Sequence, residues 1–138
     1  MSDQPAILYV EDDLMSRMVM EVILIEQMNL SNVAIFKDSH NFAAQVAELT
    51  FQPDVVFLDI QISPINGFEM LNVLRGQPQY AKVPIVALTA SVMNEDILKL
   101  RKAGFNGVIP KPIDIDVFPD VITKLMAGEE YWRVIKAP

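Results

Sequence analysis

Five short apolar runs, each followed by a stretch whose apolar residues recur at helical spacing, constrain this chain more than any other feature. The runs occupy residues 6–10, 33–36, 54–60, 83–88 and 107–110. The third, DVVFLDI, is continuously apolar from Val55 to Leu58, which suits a central parallel strand covered on both faces. Between the runs, Met15, Met18, Val19, Val22, Ile25 and Met28 keep helical spacing, as do Phe42, Ala43, Val46 and Leu49, then Phe68, Leu71 and Leu74, and last Val121, Ile122 and Leu125. Strand and helix alternating in this way imply parallel strands joined by right-handed crossovers. The fold class expected is α/β, a doubly wound five-stranded parallel sheet with helices on both faces.

Local signals mark the helix ends. Asp13 can cap the first helix, and Asp38 or Ser39 opens the second. Gly76 and Pro78 stop the third. Asn94 caps the fourth, with Glu95 and Asp96 in its first turn, Lys99, Arg101 and Lys102 toward its end, and Gly104 beyond. The fifth starts near Val117 with Asp116 as cap, because Pro119 is tolerable only in a first turn, where its missing N–H would be unpaired anyway. The methionines of the first helix read as adaptable core filler. His40, with no companion ligands, reads as a surface residue.

With 138 residues the chain holds one ordinary domain, expected over residues 1–128. Residues 129–138 read as a short tail with no output domain, in which Tyr131 and Trp132 suit packing back on the domain or a contact surface. A net charge of -7 without a basic stripe disfavours non-specific binding to nucleic acid or anionic lipid. The absence of cysteine excludes a disulfide framework and thiolate chemistry and is compatible with the cytoplasm. No stretch reads as a signal peptide, and the apolar runs are broken by charges well before the roughly 18 residues a membrane span needs.

At the carboxyl edge of such a sheet, where ligand sites form, Glu11 and Asp12 follow strand one, Asp59 strand three, Thr89 strand four and Lys111 strand five. Three gathered carboxylates repel one another unless something positive joins them, and a divalent cation is the economical solution. Oxygen ligands without histidine or cysteine indicate a hard ion, and a few carboxylates with retained waters suit Mg²⁺. Such a site can receive a phosphoryl group. The metal and the Lys111 ammonium offset its oxygens, the Thr89 hydroxyl donates a hydrogen bond, and Asp59 attacks as nucleophile.

The ordered set Glu11-Asp12, Asp59, Thr89-Ala90 and Lys111-Pro112, with Gly67 eight residues after Asp59, resembles the receiver domain of two-component response regulators over residues 5–128. The resemblance implies a (βα)5 flavodoxin-like fold and a stand-alone receiver like the chemotaxis response regulators. It implies that Asp59 accepts phosphate from a histidine kinase or histidine phosphotransfer protein with Mg²⁺ as cofactor. The domain itself then catalyses transfer and autodephosphorylation, as a cytoplasmic signalling module rather than an enzyme, and switches its contacts with a downstream protein. By the same resemblance Asp12 is a direct metal ligand, Glu11 acts largely through metal-bound water, and the backbone carbonyl of Gln61 is a further ligand. Thr89 and Lys111 contact the phosphoryl oxygens. Gln61 and Ser91 line the path of the hydrolytic water, and neither supplies a strong general base, so a phosphoryl lifetime of minutes or longer is expected.

The chain departs from the family pattern at three places. Ser63 holds the usual proline position four residues after the acceptor, with Pro64 next; Val108 replaces the usual aromatic three residues before the lysine; and Pro110 directly precedes Lys111. Taken singly, Glu11 or Asp12 reads as a loop acid or cap, Thr89 as a strand-end hydroxyl and Lys111 as a solvated lysine. Packing gives no reason to gather them at one edge. A haloacid-dehalogenase-type phosphohydrolase needs a second acid at the place of Gln61, which carries no such proton, and no GxxxxGK[ST] or GxGxxG occurs for nucleotide binding. A degenerate receiver working only as a binding module is the remaining rival, and the intact acids, Thr89 and Lys111 argue against it.

Overall fold

In the computed structural model, which describes residues 4–90 and 93–132, six parallel strands form one sheet. They are β1 (Ile7–Val10), β2 (Val33–Phe36), β3 (Val55–Asp59), β4 (Ile85–Thr89), β5 (Gly107–Pro110) and β6 (Tyr131–Trp132), in the order β2-β1-β3-β4-β5-β6. The five-stranded expectation holds for β1 to β5, and two residues from the expected tail add the sixth. Helices α1 (Leu14–Glu21, continued by a π-helical turn over Val22–Gln27), α2 (Phe42–Ala47), α3 (Gly67–Arg75), α4 (Asn94–Ala103) and α5 (Phe118–Met126) connect the strands.

Alternation along each strand sorts side chains between two cores. Leu8, Val10, Val56 and Leu58 join Met70, Leu71 and Leu74 of α3 and Ile97 and Leu100 of α4 on one face. Ile7, Tyr9, Val55 and Phe57 join Met20, Ile23 and Leu24 of the first helix and Phe118, Val121, Ile122 and Leu125 of α5 on the other. β3, like β1 and β4, is buried at every position, which places Asp59 at the end of a fully enclosed strand.

The first helix corrects the expected inward face. Met20, Ile23 and Leu24 are buried, whereas Leu14, Met15, Met18 and Ile25 are 59%, 67%, 51% and 46% exposed. The helix carries two apolar stripes, and helical periodicity alone does not choose between them. The π-helical turn, closed by the Met28 N–H to the Ile23 carbonyl at 2.9 Å, turns Ile23 and Leu24 inward and Ile25 out. Of these methionines only Met20 is fully buried core filler.

Caps also differ from expectation at three helices. Asp13 caps α1 as expected, accepting the Ser16 N–H at 2.8 Å. Asn41, at φ 49°, precedes α2 without a side-chain cap, Asp38 instead accepts the His40 N–H, and Ala43 is exposed. At α4 the cap position belongs to Met93, whose N–H donates to Asp96, and Asn94 is the first helical residue. At α5 it belongs to Val117 rather than to Asp116, and the Asp114 carbonyl takes the Val117 and Phe118 N–H groups. His40 is exposed.

Candidate functional site

β1, β3, β4 and β5 deliver their carboxyl ends to one edge. Asp59 pairs in register with Leu88, and Thr89 with Pro110, so the Asp59 carboxylate, the Thr89 hydroxyl and Lys111 arrive on adjacent strands. Glu11 is wholly buried, Asp59 and Thr89 are nearly so, and Asp12 is exposed. Gly67, at the start of α3, sits against the back of Asp59. A Cβ there would come within 2.9 Å of the Asp59 carbonyl oxygen, so only glycine lets the helix start so close. The loop between them is tied down by the buried Ser39 hydroxyl, which accepts the Ile65 N–H at 2.9 Å. Ser63–Pro64 and Lys111–Pro112 are both cis.

Lys111 holds the acids together: its Nζ lies 2.7 Å from Glu11 Oε1 and 3.2 Å from Asp59 Oδ1. Burial, then the hydrogen bond and charge of Glu11, push the Asp59 carboxyl up to about 7, against the pull of Lys111. Burial alone would raise Glu11, but hydrogen bonds with Asp59, Lys111 and Tyr9 outweigh it and hold its carboxyl below the usual range. Burial would likewise lower Lys111, and the two acids reverse this and keep its ammonium above the ordinary lysine range. Two buried carboxylates thus share one lysine, an arrangement of the kind found at functional sites.

Ligand atoms of Glu11, Asp12 and Asp59 lie within 4.8 Å of one another. Three carboxylates against one ammonium leave an excess of negative charge at a partly open edge, and an all-oxygen donor set of this size fits a hard divalent cation. Gln61 is exposed, and its N–H donates to Asp59 Oδ1 at 3.3 Å. Ser91, expected beside the path of a hydrolytic water, lies outside the described residues.

Two side chains of the site belong to no motif. Arg17, one turn into α1, donates to the Glu11 carbonyl at 3.0 Å, and the Tyr9 hydroxyl donates to Glu11 Oε1 at 2.9 Å. The signal for Tyr9 was its spacing, since residues two apart on a strand share a face.

A family model for the response regulator receiver domain matches residues 7–123. The polar-differentiation response regulator DivK of Brucella anthropi is 31% identical over 71 residues, 51% of this chain and 58% of that protein. The chain's match therefore spans little more than half the length of this relative. Among solved structures, the bacteriophytochrome response regulator RtBRR is 29% identical with a TM-score of 0.73, over 98% of this chain and 84% of that one. The receiver domain of a Pseudomonas aeruginosa sensor histidine kinase, with a magnesium ion coordinated in its active site cleft, shares the fold at 24% identity and a TM-score of 0.76, over 90% of this chain and 98% of that one.

Proposed function

This chain belongs to the response regulator receiver family, and on that premise we propose that Asp59 is its phosphoryl acceptor. The observation that supports this best is the Asp59 carboxylate itself, almost wholly buried yet placed at the open edge between Glu11, Asp12 and Lys111. Burying an acid beside other acids costs stability, and a reaction that uses the acid is the reason to keep it there.

Asp12, Asp59 and the Gln61 carbonyl would hold Mg²⁺, with Glu11 acting through water. When bound, the ion offsets the acids and polarises the phosphoryl oxygens. Asp59, deprotonated, attacks the phosphorus of a phosphohistidine on a kinase or phosphotransfer protein. The new bond joins Asp59 Oδ to phosphorus, the bond from phosphorus to the imidazole nitrogen breaks with its electron pair going to that nitrogen, and the ring, already protonated on its other nitrogen, leaves as neutral imidazole. Lys111 moves from the acids to the phosphoryl oxygens, and the Thr89 hydroxyl donates to them, a charge-assisted bond roughly twice as strong as a neutral one. Gln61 is no general base, so the product persists for minutes or longer.

The donor docks on the first helix, where Leu14, Met15, Met18 and Ile25 expose an apolar stripe next to the acids. Output passes to a downstream protein in the cytoplasm. The usual aromatic switch is replaced: Val108 is fully buried, β-branched and short, and it pairs in register with Trp132 of β6, so α4 is the part that moves.

The test is incorporation from acetyl phosphate. Labelling that requires Mg²⁺ and disappears in Asp59→Asn supports the proposal, and labelling that persists in Asp59→Asn overturns it.

A further inference from the structure

We propose that Tyr9 is a positioning residue of this site, its buried hydroxyl holding the Glu11 carboxylate when Lys111 turns away to a phosphoryl group. This inference rests on the receiver reading of the site above.

Tyr9 is completely buried in the core beneath α1 and α5, with Phe57 and Phe118 in the same cluster. A phenol placed that deep needs a partner for its O–H. Its partner is Glu11, two residues on along the same face, with Tyr9 Oη 2.9 Å from Glu11 Oε1. Lys111 Nζ binds that same oxygen at 2.7 Å, while Oε2 takes the Asp13 N–H at 3.2 Å.

Lys111 also lies 3.2 Å from Asp59 Oδ1. Its ammonium cannot keep both acids and at the same time face a group arriving on Asp59. Once it turns, Glu11 is a wholly buried carboxylate that has lost its closest donor. An under-partnered buried charge is costly and free to change rotamer. Tyr9 is fixed by packing on every side and does not leave with the lysine, so Glu11 keeps its place relative to Asp12 and Asp59. Phenylalanine fills the same volume without the hydroxyl, which separates this role from packing.

The experiment is calorimetric titration of Mg²⁺ into the full chain, with and without beryllofluoride as phosphoryl mimic, for native protein, Tyr9→Phe, Glu11→Asp and the double variant. The carboxylate of Glu11→Asp is one methylene shorter and draws back from the phenol while remaining an acid. Tyr9→Phe is expected to weaken Mg²⁺ binding by about tenfold when beryllofluoride is present and by less without it, because a hydrogen bond to a charged group is lost and Lys111 is then elsewhere. In the Glu11→Asp background the same substitution should change affinity by less than about twofold. Equal losses in both backgrounds, or none in the native one, overturn the inference. A native protein that takes up no Mg²⁺ overturns the reading of the site as well, which keeps the two failures distinct.

Discussion

The two ends of β5 are held in opposite ways. At its carboxyl end Lys111 enters a cluster of buried charge, bound to Glu11 and Asp59. At its amino end Gly107 and Val108 pair with Tyr131 and Trp132 on the outer side, and the contact depends on backbone closeness. A Cβ on Gly107 would run into the Tyr131 backbone. Trp132 adds a cation–π contact with Arg101, 4.8 Å from the ring, and its Nε1 donates to Glu130 at 2.7 Å. Charge compensation therefore fixes the acid end, at a cost in stability, whereas the β6 end is fixed by backbone pairing and by Tyr131 and Trp132 packing against the two cores. The candidate site lies at the end held by charge, and the β6 edge lies one strand-length away.

The largest effect should come from relieving the acid end. Asp59 is raised to about 7 from an ordinary 3.8, so between these values the folded protein holds a proton that the unfolded chain does not. Its stability therefore falls as pH rises through that window, by roughly 4 kcal/mol at most. Glu11, held low, works the other way, and its contribution is lost only as the solution is acidified below the usual carboxylate range. Asp59→Asn should raise the melting temperature clearly at about pH 8 and little at about pH 5. An Asp59→Asn variant no more stable than the native protein at the higher pH would break the contrast between the two ends.

Gly107→Ala attacks the other end and should cost about 1–2 kcal/mol by pushing β6 off β5. Trp132 is the sole tryptophan of the chain, so its fluorescence reports this edge alone. A red shift with unchanged Mg²⁺ binding is expected, and unshifted emission would mean that β6 is held by more than backbone closeness.

The smallest effect on stability is expected at the first helix, whose exposed stripe contributes to neither end. Met15→Glu with Met18→Glu should alter stability by less than about 0.5 kcal/mol. Phosphoryl transfer from a phosphohistidine protein should nevertheless slow by at least about tenfold, while labelling from acetyl phosphate stays the same. Equal slowing with both donors would place the fault in the site rather than in docking.

The strands and the acid edge were legible in the sequence because buried parallel strands are uninterrupted apolar runs and because four of the five strand ends, those of β1, β3, β4 and β5, carried the motif residues. β3 at Val55–Asp59 and β5 at Gly107–Pro110 lie where the apolar runs put them. The face of the first helix was not legible, since Leu14, Met15, Met18 and Ile25 satisfy helical spacing as well as Met20, Ile23 and Leu24 do. A π-helical turn has no compositional mark. β6 was obscure for a different reason: two residues forming a strand beside a glycine leave no periodicity to read. Tyr9 read as one more apolar strand residue, and only the strand's period-two geometry joins it to Glu11.

The most direct test of the central claim is to locate the phosphoryl group. After treatment with acetyl phosphate and Mg²⁺, borohydride reduction of an aspartyl phosphate converts that residue to homoserine, which peptide mass analysis places in the chain. Homoserine at position 59, absent when Mg²⁺ is withheld, is the result predicted here. Homoserine at position 12 or 54, or phosphate on a serine or threonine with position 59 unchanged, would contradict it.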